Sequence, residues 1–249
     1  MTYQEVVQLA KTDIASRGND YRNKKIIYNV SCPLWENGNQ INLWTYWQGH
    51  QLKDIGKKRV DVLLVGQDWG NLNNNPEVRK SIEDIQAGKK NSFYYVKDNP
   101  TDKMLIKLFQ VFGDDVNIMT PDPGMRLFFT NYSLGYRKGH QTGGMTKGLM
   151  KKDKELFEDL VLVLKPRIII CLGKITYEMV SGHPVKGFVK QLQTGEPFKT
   201  TFPLDSDITV YGVAHPGSWG QANIGSEEKM IQAWEKIARD YNSAVLKNE

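Results

Sequence analysis

Cysteine is nearly absent from this 249-residue chain, which has only Cys32 and Cys171. The two lie far apart and neither belongs to a Cys-x-x-Cys pair. That argues against a disulfide framework and against a zinc or iron–sulfur site. Histidine is scarce too: the four, at positions 50, 140, 183 and 215, show no His-Glu-x-x-His or other metal spacing. No apolar run is long enough to cross a bilayer. The first twenty residues, MTYQEVVQLAKTDIASRGND, are polar and mixed in charge. A secretory signal is therefore not expected, and the cytoplasm is the expected compartment. No internal repeat, low-complexity tract or Pro/Ser linker divides the chain. Gly-x-Ser-x-Gly, a Walker loop and Gly-x-Gly-x-x-Gly are all missing. The Gly173-Lys174 pair in CLGKIT lacks the upstream glycine of a phosphate-binding P-loop.

What is present is an ordinary hydrophobic fraction, 40%, enough to bury a real core. The net charge of +5 is compatible with a polyanionic partner without demanding one. The lysine clusters, such as Lys147 with Lys151, Lys152 and Lys154, read on their own as solvated surface. One domain covering residues 1–249 is the expectation, with residues 1–58 as an N-terminal extension packed on it. Nothing in the sequence requires more than a monomer.

Four runs read as buried strands: RVDVLLVG (59–66), MRLFFTN (125–131), RIIICLG (167–173) and ITVYGVAH (208–215). Each is rich in Val, Ile, Leu or Phe and stops at glycine or a polar residue. Helical patterns lie between and after them. NPTDKMLIKLFQVFG ends at Gly113, MKKDKELFEDLVLVLKP stops before Pro166, and KITYEMVSG is short. GSEEKMIQAWEKIARDYNSAVL opens on a Ser226 cap with early glutamates. Alternating strands and helices predict a three-layer α/β/α fold around a central four-stranded parallel sheet. INLWTYWQGH (41–50) reads as a short helix laying Trp44, Tyr46 and Trp47 on the sheet.

Parallel sheets bind ligands beyond the carboxyl ends of their strands. Polar residues just past each strand therefore converge in space. That selects Gln67-Asp68, then Asn131, then Gly173-Lys174 opening a helix, then His215 with Pro216, Gly217, Ser218 and Trp219. The set holds a carboxylate, a carboxamide, a helix entry suited to an anion and an imidazole. Each also has a plainer reading. Asp68 can cap a helix, Asn131 can close a turn, and His215 can be satisfied before its proline. Cys171 reads as a small buried hydrophobe.

In order and position these residues resemble the uracil-DNA glycosylase superfamily. GQDWG (66–70) is similar to its first motif, which reads Gly-Gln-Asp-Pro-Tyr in one branch. FFTNYSLG is similar to the strand supplying a base-reading asparagine. LKPRIIICLGKITYEMV resembles the segment ending in a phosphate loop. AHPGSWG looks like the second motif, His-Pro-Ser followed by a DNA-wedging residue. The resemblance spans residues 60 to 240. It implies a DNA partner and hydrolysis of the N-glycosidic bond of uracil or a related pyrimidine after base flipping, with no cofactor and no metal. It implies that Asp68 stabilises the cationic sugar and orients water, that His215 stabilises the departing base, and that Asn131 reads it. Phe93 is implied as the stacking ring, with Tyr94 close behind. Gln67, Trp69 and Gly70 would line the base site. Asn99, Pro100, Gly173, Lys174, Ser218 and Trp219 would meet the DNA.

The chain also departs from that pattern. Trp69-Gly70 stands where Pro-Tyr is usual, and the tyrosine normally blocks the 5-methyl of thymine. A glycine there would open the site to 5-substituted or damaged pyrimidines, or leave Trp69 to serve as a different wall. Gly217 replaces the usual serine, although Ser218 follows, and a long insertion follows the first motif. Two other readings stand beside the glycosylase: a glycosylase-fold protein that only binds nucleic acid or a nucleotide, and an unrelated α/β enzyme with a small substrate. Salt dependence of binding separates the last from the others.

Overall fold

The computed structural model of the chain describes residues 1–17, 26–27, 47–48, 59–68, 100–113, 126–133, 136–137 and 145–245. Its centre is a mixed sheet of six strands. Four of them are the sequence-predicted runs: β3 (Val62–Gly66), β4 (Leu127–Asn131), β6 (Ile168–Leu172) and β8 (Asp205–Val213). They pair in parallel in the order β4-β3-β6-β8. All five residues of β3 and all five of β6 are buried. A strand covered on both faces reads as a continuous apolar run, which is why these were visible in the sequence.

The expected four-stranded sheet is thus extended by an antiparallel strand at each edge. β2 (Trp47–Gln48) pairs with β4, with Trp47 opposite Phe129. β7 (Phe198–Phe202) pairs with β8 across the Pro203-Leu204 turn. Trp47 therefore lies in a strand and not in the expected helix. An open edge on β4 would leave a row of N–H and C=O groups unpaired, and β2 satisfies part of it. Trp44 and Tyr46 lie outside the described residues. A separate two-stranded pair joins β1 (Ile26–Ile27) to β5 (Tyr136–Arg137).

Helices flank the sheet. They are α1 (Tyr3–Arg17), α2 (Pro100–Gln110), α3 (Lys147–Met150), α4 (Lys154–Leu164), α5 (Lys174–Ser181), α6 (Phe188–Leu192), α7 (Ser218–Ile224) and α8 (Glu227–Val245). In α4 the buried positions Phe157, Leu160, Val161 and Leu164 recur at helical spacing. Lys165 ends that helix in the left-handed conformation (φ 45°) ahead of Pro166. In α8 the Ser226 hydroxyl accepts the Lys229 N–H at 3.4 Å, the expected cap. Met230, Ala233, Trp234, Ile237 and Ala238 form its buried stripe.

Two neighbours on β8 show that both faces are covered, since successive strand residues point to opposite sides. The Tyr211 hydroxyl donates to Asp240 on α8 at 2.8 Å. Gly212 faces the ring of Tyr177 on α5. The α8 side is sealed by Trp234 edge-on to Phe109 of α2, with centroids 5.1 Å apart. On the other side Tyr3 of α1 packs edge-on to Phe128 of β4. The result is a mixed α/β fold with helical layers on both faces of the sheet. Among the described residues no helix is long and apolar enough to cross a membrane.

Gly212 is a packing constraint, because a methyl group there would lie 2.7 Å from the Tyr177 ring. Gly212→Ala is expected to cost about 1–3 kcal/mol by overpacking. Urea denaturation should show a lower midpoint with an unchanged slope.

Candidate functional site

The chain runs from β3 outward to β4, then returns across β3 to reach β6 and β8. The order reverses between β3 and β6, and the crevice beyond their carboxyl ends is the place where such sheets take ligands. All four predicted site segments leave the sheet at that edge.

The β3 end is clamped to the β4 end. The Gly66 carbonyl accepts the Tyr132 N–H at 2.9 Å, and the Gln67 carbonyl accepts the Ser133 N–H at 3.0 Å. This continues the parallel ladder past the strands and fixes the peptide that carries Asp68. The Asp68 side chain is buried, and Gln67 is half-buried. Asn131 sits opposite Gly66 in register, and its carboxamide lies directly over the glycine. A methyl group at Gly66 would collide with Asn131 Oδ1. Gly66 is therefore a spatial requirement of Asn131 as well as a strand ending.

At the β6 end Gly173 adopts φ 95°, a conformation that favours glycine, and its N–H donates to the Val213 carbonyl at 2.8 Å. That bond ties the entry of α5 to the end of β8. Past β8, His215 is exposed and Gly217 is buried. The Gly217 N–H donates to His215 Nδ1 at 3.0 Å. With Nδ1 accepting, the neutral imidazole carries its proton on Nε2, which becomes a donor. A methyl group at Gly217 would lie 3.0 Å from both His215 Nδ1 and Thr101 Oγ1. Helix α7 then packs back on this turn. Gly220 admits the His215 carbonyl where no side chain would fit, and Gln221 Nε2 donates to the Pro216 carbonyl at 2.6 Å.

The predicted residues thus fall into two groups on one edge. Gln67, Asp68 and Asn131 sit together at the β3/β4 ends. Gly173, Lys174, His215 and Trp219 line a cavity of about 260 Å³ whose apolar wall includes Phe188 and Ile224. β6 stands between β3 and β8, so the strands bearing Asp68 and His215 are about 10 Å apart, a nucleoside-sized span. Trp219 is 78% exposed, an unusual state for the largest side chain. Ser218 beside it is exposed, as is Pro100 at the first position of α2. Trp69, Gly70, Phe93 and Asn99 lie outside the described residues. Cys171 is buried, as expected, and burial pushes its thiol well up. Among the described residues no His, Cys, Asp and Glu side chains group in threes to hold a metal ion.

Lys174 has a partner that its sequence position did not reveal. It pairs at 3.8 Å with Glu178 one turn on, and Lys147 of α3 binds the same carboxylate. Burial pushes Glu178 up. The Lys147 hydrogen bond, the Val185 N–H and the charges of both lysines outweigh that and hold it below its ordinary 4.5. The sequence reading also missed Thr101, beside the His215 turn, and the buried pair Ser133–Asp153, where Ser133 Oγ donates to Asp153 Oδ2 at 2.9 Å. Asp153 gave no signal because it lies in a lysine-rich run. Thr101 gave no signal because it lies within the first turn of α2.

Comparison with protein-family models finds no match, and comparison with curated proteins finds none.

Two outcomes test this geometry. Gly66→Ala should displace the Asn131 carboxamide, moving its side-chain amide resonances and costing about 1–3 kcal/mol, and adding Asn131→Ala should recover most of that stability. For Glu178, a carboxyl depressed in the folded state contributes stability that is complete above its unfolded value and lost as pH falls through its folded one. Glu178→Gln should therefore melt below the wild type at pH 7, and the gap should close as the pH drops below 4.5.

Proposed function

We propose that this chain is a uracil-DNA glycosylase-like N-glycosyl hydrolase of three-layer α/β/α fold. It flips uracil or a related pyrimidine out of DNA and removes it. The observation that carries this reading is the composition of one sheet edge. A buried carboxylate is clamped beside a carboxamide held over a glycine, and an imidazole on the same edge accepts a backbone N–H at Nδ1, which puts the proton of its neutral form on Nε2.

Each part suits one element of the reaction. Heterolysis of the bond between C1′ and N1 leaves positive charge on the sugar and sends the electron pair into the base. Asp68 stabilises the sugar cation electrostatically and orients the water that adds to C1′, taking up its proton. His215 Nε2–H donates to the O2 of the departing base, where negative charge develops. Asn131 accepts from N3–H and donates to O4, a pattern that uracil offers and cytosine does not. Trp219 is suited to fill the gap left in the stack, and the α5 entry at Gly173-Lys174 to meet phosphate. The Glu178 pairing lowers the share of that contact expected from the Lys174 charge. By the resemblance, a glycine at position 70 in place of the motif's tyrosine would admit a 5-substituent.

A strand-cleavage assay tests the reading. Oligonucleotides carrying uracil, thymine opposite guanine, hypoxanthine or hydroxymethyluracil, single- and double-stranded, are incubated with the wild type, Asp68→Ala and His215→Ala. Uracil release is expected, falling on the order of 10²–10³-fold when the donor at His215 is removed, and also lost with Asp68→Ala. No release from any substrate together with salt-sensitive DNA binding would make the chain a nucleic-acid reader. The absence of both release and binding would end the DNA reading.

A further inference from the structure

Asp153 is a buried carboxylate for which the proposed reaction has no direct use. It is 1% exposed and ends the short 3₁₀ turn Lys151–Asp153 that leads into α4. At that position an aspartate ordinarily accepts an N–H from the first turn of its own helix. Asp153 makes no such capping bond. Its carboxylate turns instead to Ser133, accepting the hydroxyl proton at 2.9 Å. Ser133 is fully buried, and its backbone N–H holds the Gln67 carbonyl at 3.0 Å. Burying a carboxylate is costly unless it is bonded, so the contact bears a physical consequence whatever its role.

The position of Ser133 matters. It lies two residues after Asn131 and clamps the peptide between Gln67 and Asp68. The same stretch is tied to α4 a second time by Tyr132, whose ring packs on Phe157 with centroids 4.6 Å apart. The aromatic contact is tolerant of sliding, whereas a hydrogen bond sets distance and direction. Of these two ties to α4, the polar one is the more exacting, and it braces residues 131–133, and with them Asn131 and Asp68, in the register that the backbone ladder sets.

We propose that Asp153 is a positioning residue for the Asp68–Asn131 pair, acting through Ser133. The inference rests on the roles of Asp68 and Asn131 in the reading above. In catalysis Asp153 moves no proton and touches no substrate. It holds the water-orienting carboxylate and the base-reading carboxamide in a common register.

The test uses Asp153→Leu, Asp153→Asn, Ser133→Ala and the double variant Ser133→Ala/Asp153→Leu in the full chain. Three quantities are read: kcat and KM on a uracil oligonucleotide, the preference for uracil over cytosine, and amide exchange at Ser133. Exchange at Gly173, whose N–H is held by β8, serves as the internal reference. Misplacement by a fraction of an ångström to an ångström costs up to about a hundredfold in rate. Asp153→Leu is thus expected to lower kcat by about ten- to a hundredfold with KM within about twofold. It should also erode the uracil preference and speed exchange at Ser133 but not at Gly173. Ser133→Ala should reproduce the kinetic losses, and the double variant should be no worse than either single. Asp153→Asn keeps an acceptor for the hydroxyl and should restore most of the rate.

Unchanged kcat and preference in a folded Asp153→Leu protein would overturn the proposal, as would losses that multiply in the double variant. If Asp153→Leu does not fold, the comparison of Ser133→Ala with Asp153→Asn decides in the same terms. If the wild type excises nothing, the glycosylase reading fails, and exchange at Ser133 still decides the structural claim. Faster exchange in Asp153→Leu than in Asp153→Asn upholds it, and equal exchange refutes it.

Discussion

The backbone ladder joining β4, β3, β6 and β8 is the interaction on which the rest of this protein depends. Because these strands run parallel, all four release the chain at the same edge, and residues scattered from position 67 to 219 gather along it in two groups. The ladder also continues beyond the strands. The bonds from Tyr132 and Ser133 to Gly66 and Gln67, and from Gly173 to Val213, carry the register into the site itself. Helices on both faces keep the ladder dry, which makes its hydrogen bonds stiff and its misregistration costly.

Around that edge, glycines set what the side chains can do. Gly66 leaves room for the Asn131 carboxamide. Gly217 leaves room for the imidazole of His215 and the hydroxyl of Thr101, while offering the N–H that selects the Nε2–H form. Gly220 lets α7 close on the His215 carbonyl. Each is a place where a backbone comes close to a functional group, so the chemistry of the site is decided partly by side chains that are absent. At Gly217 this also gives a physical reason for a departure from the motif it resembles: a side chain there would crowd both His215 and Thr101.

Charge in the site is organised by pairing. Glu178 gathers Lys147 and Lys174 at the entry of α5, and Asp153 is satisfied by Ser133 behind the β3/β4 ends. The two carboxylates serve different ends. The first pairs with the cation at the start of α5. The second is wholly buried and fixes geometry.

What the sequence by itself determined is the set of parallel strands, the helices α2, α4, α5 and α8, and the strand-end residues, whereas α1 was read only as part of an N-terminal extension. β3 and β6 are apolar on both faces, and α4 and α8 carry regular stripes bounded by Pro166 and Ser226, so local pattern and burial agree. Asp68, Asn131 and His215 stood out because parallel strands bring the polar residues at their carboxyl ends to one edge. The edge strands and the supporting contacts were decided only by the tertiary structure. β7 alternates between more buried and exposed positions because its successive side chains point to opposite faces of the sheet, only one of which is covered there, and β2 pairs along the outer edge of β4. Asp153 sits among lysines that read as solvent-facing, and nothing local marks it as buried. Its partner is twenty residues away, and only the packing of α4 against the end of β4 brings them together. The form of His215 has the same origin. A histidine in a sequence has two equivalent ways to hold one proton, and here a backbone N–H two residues on, presented by a turn that α7 packs against, chooses between them.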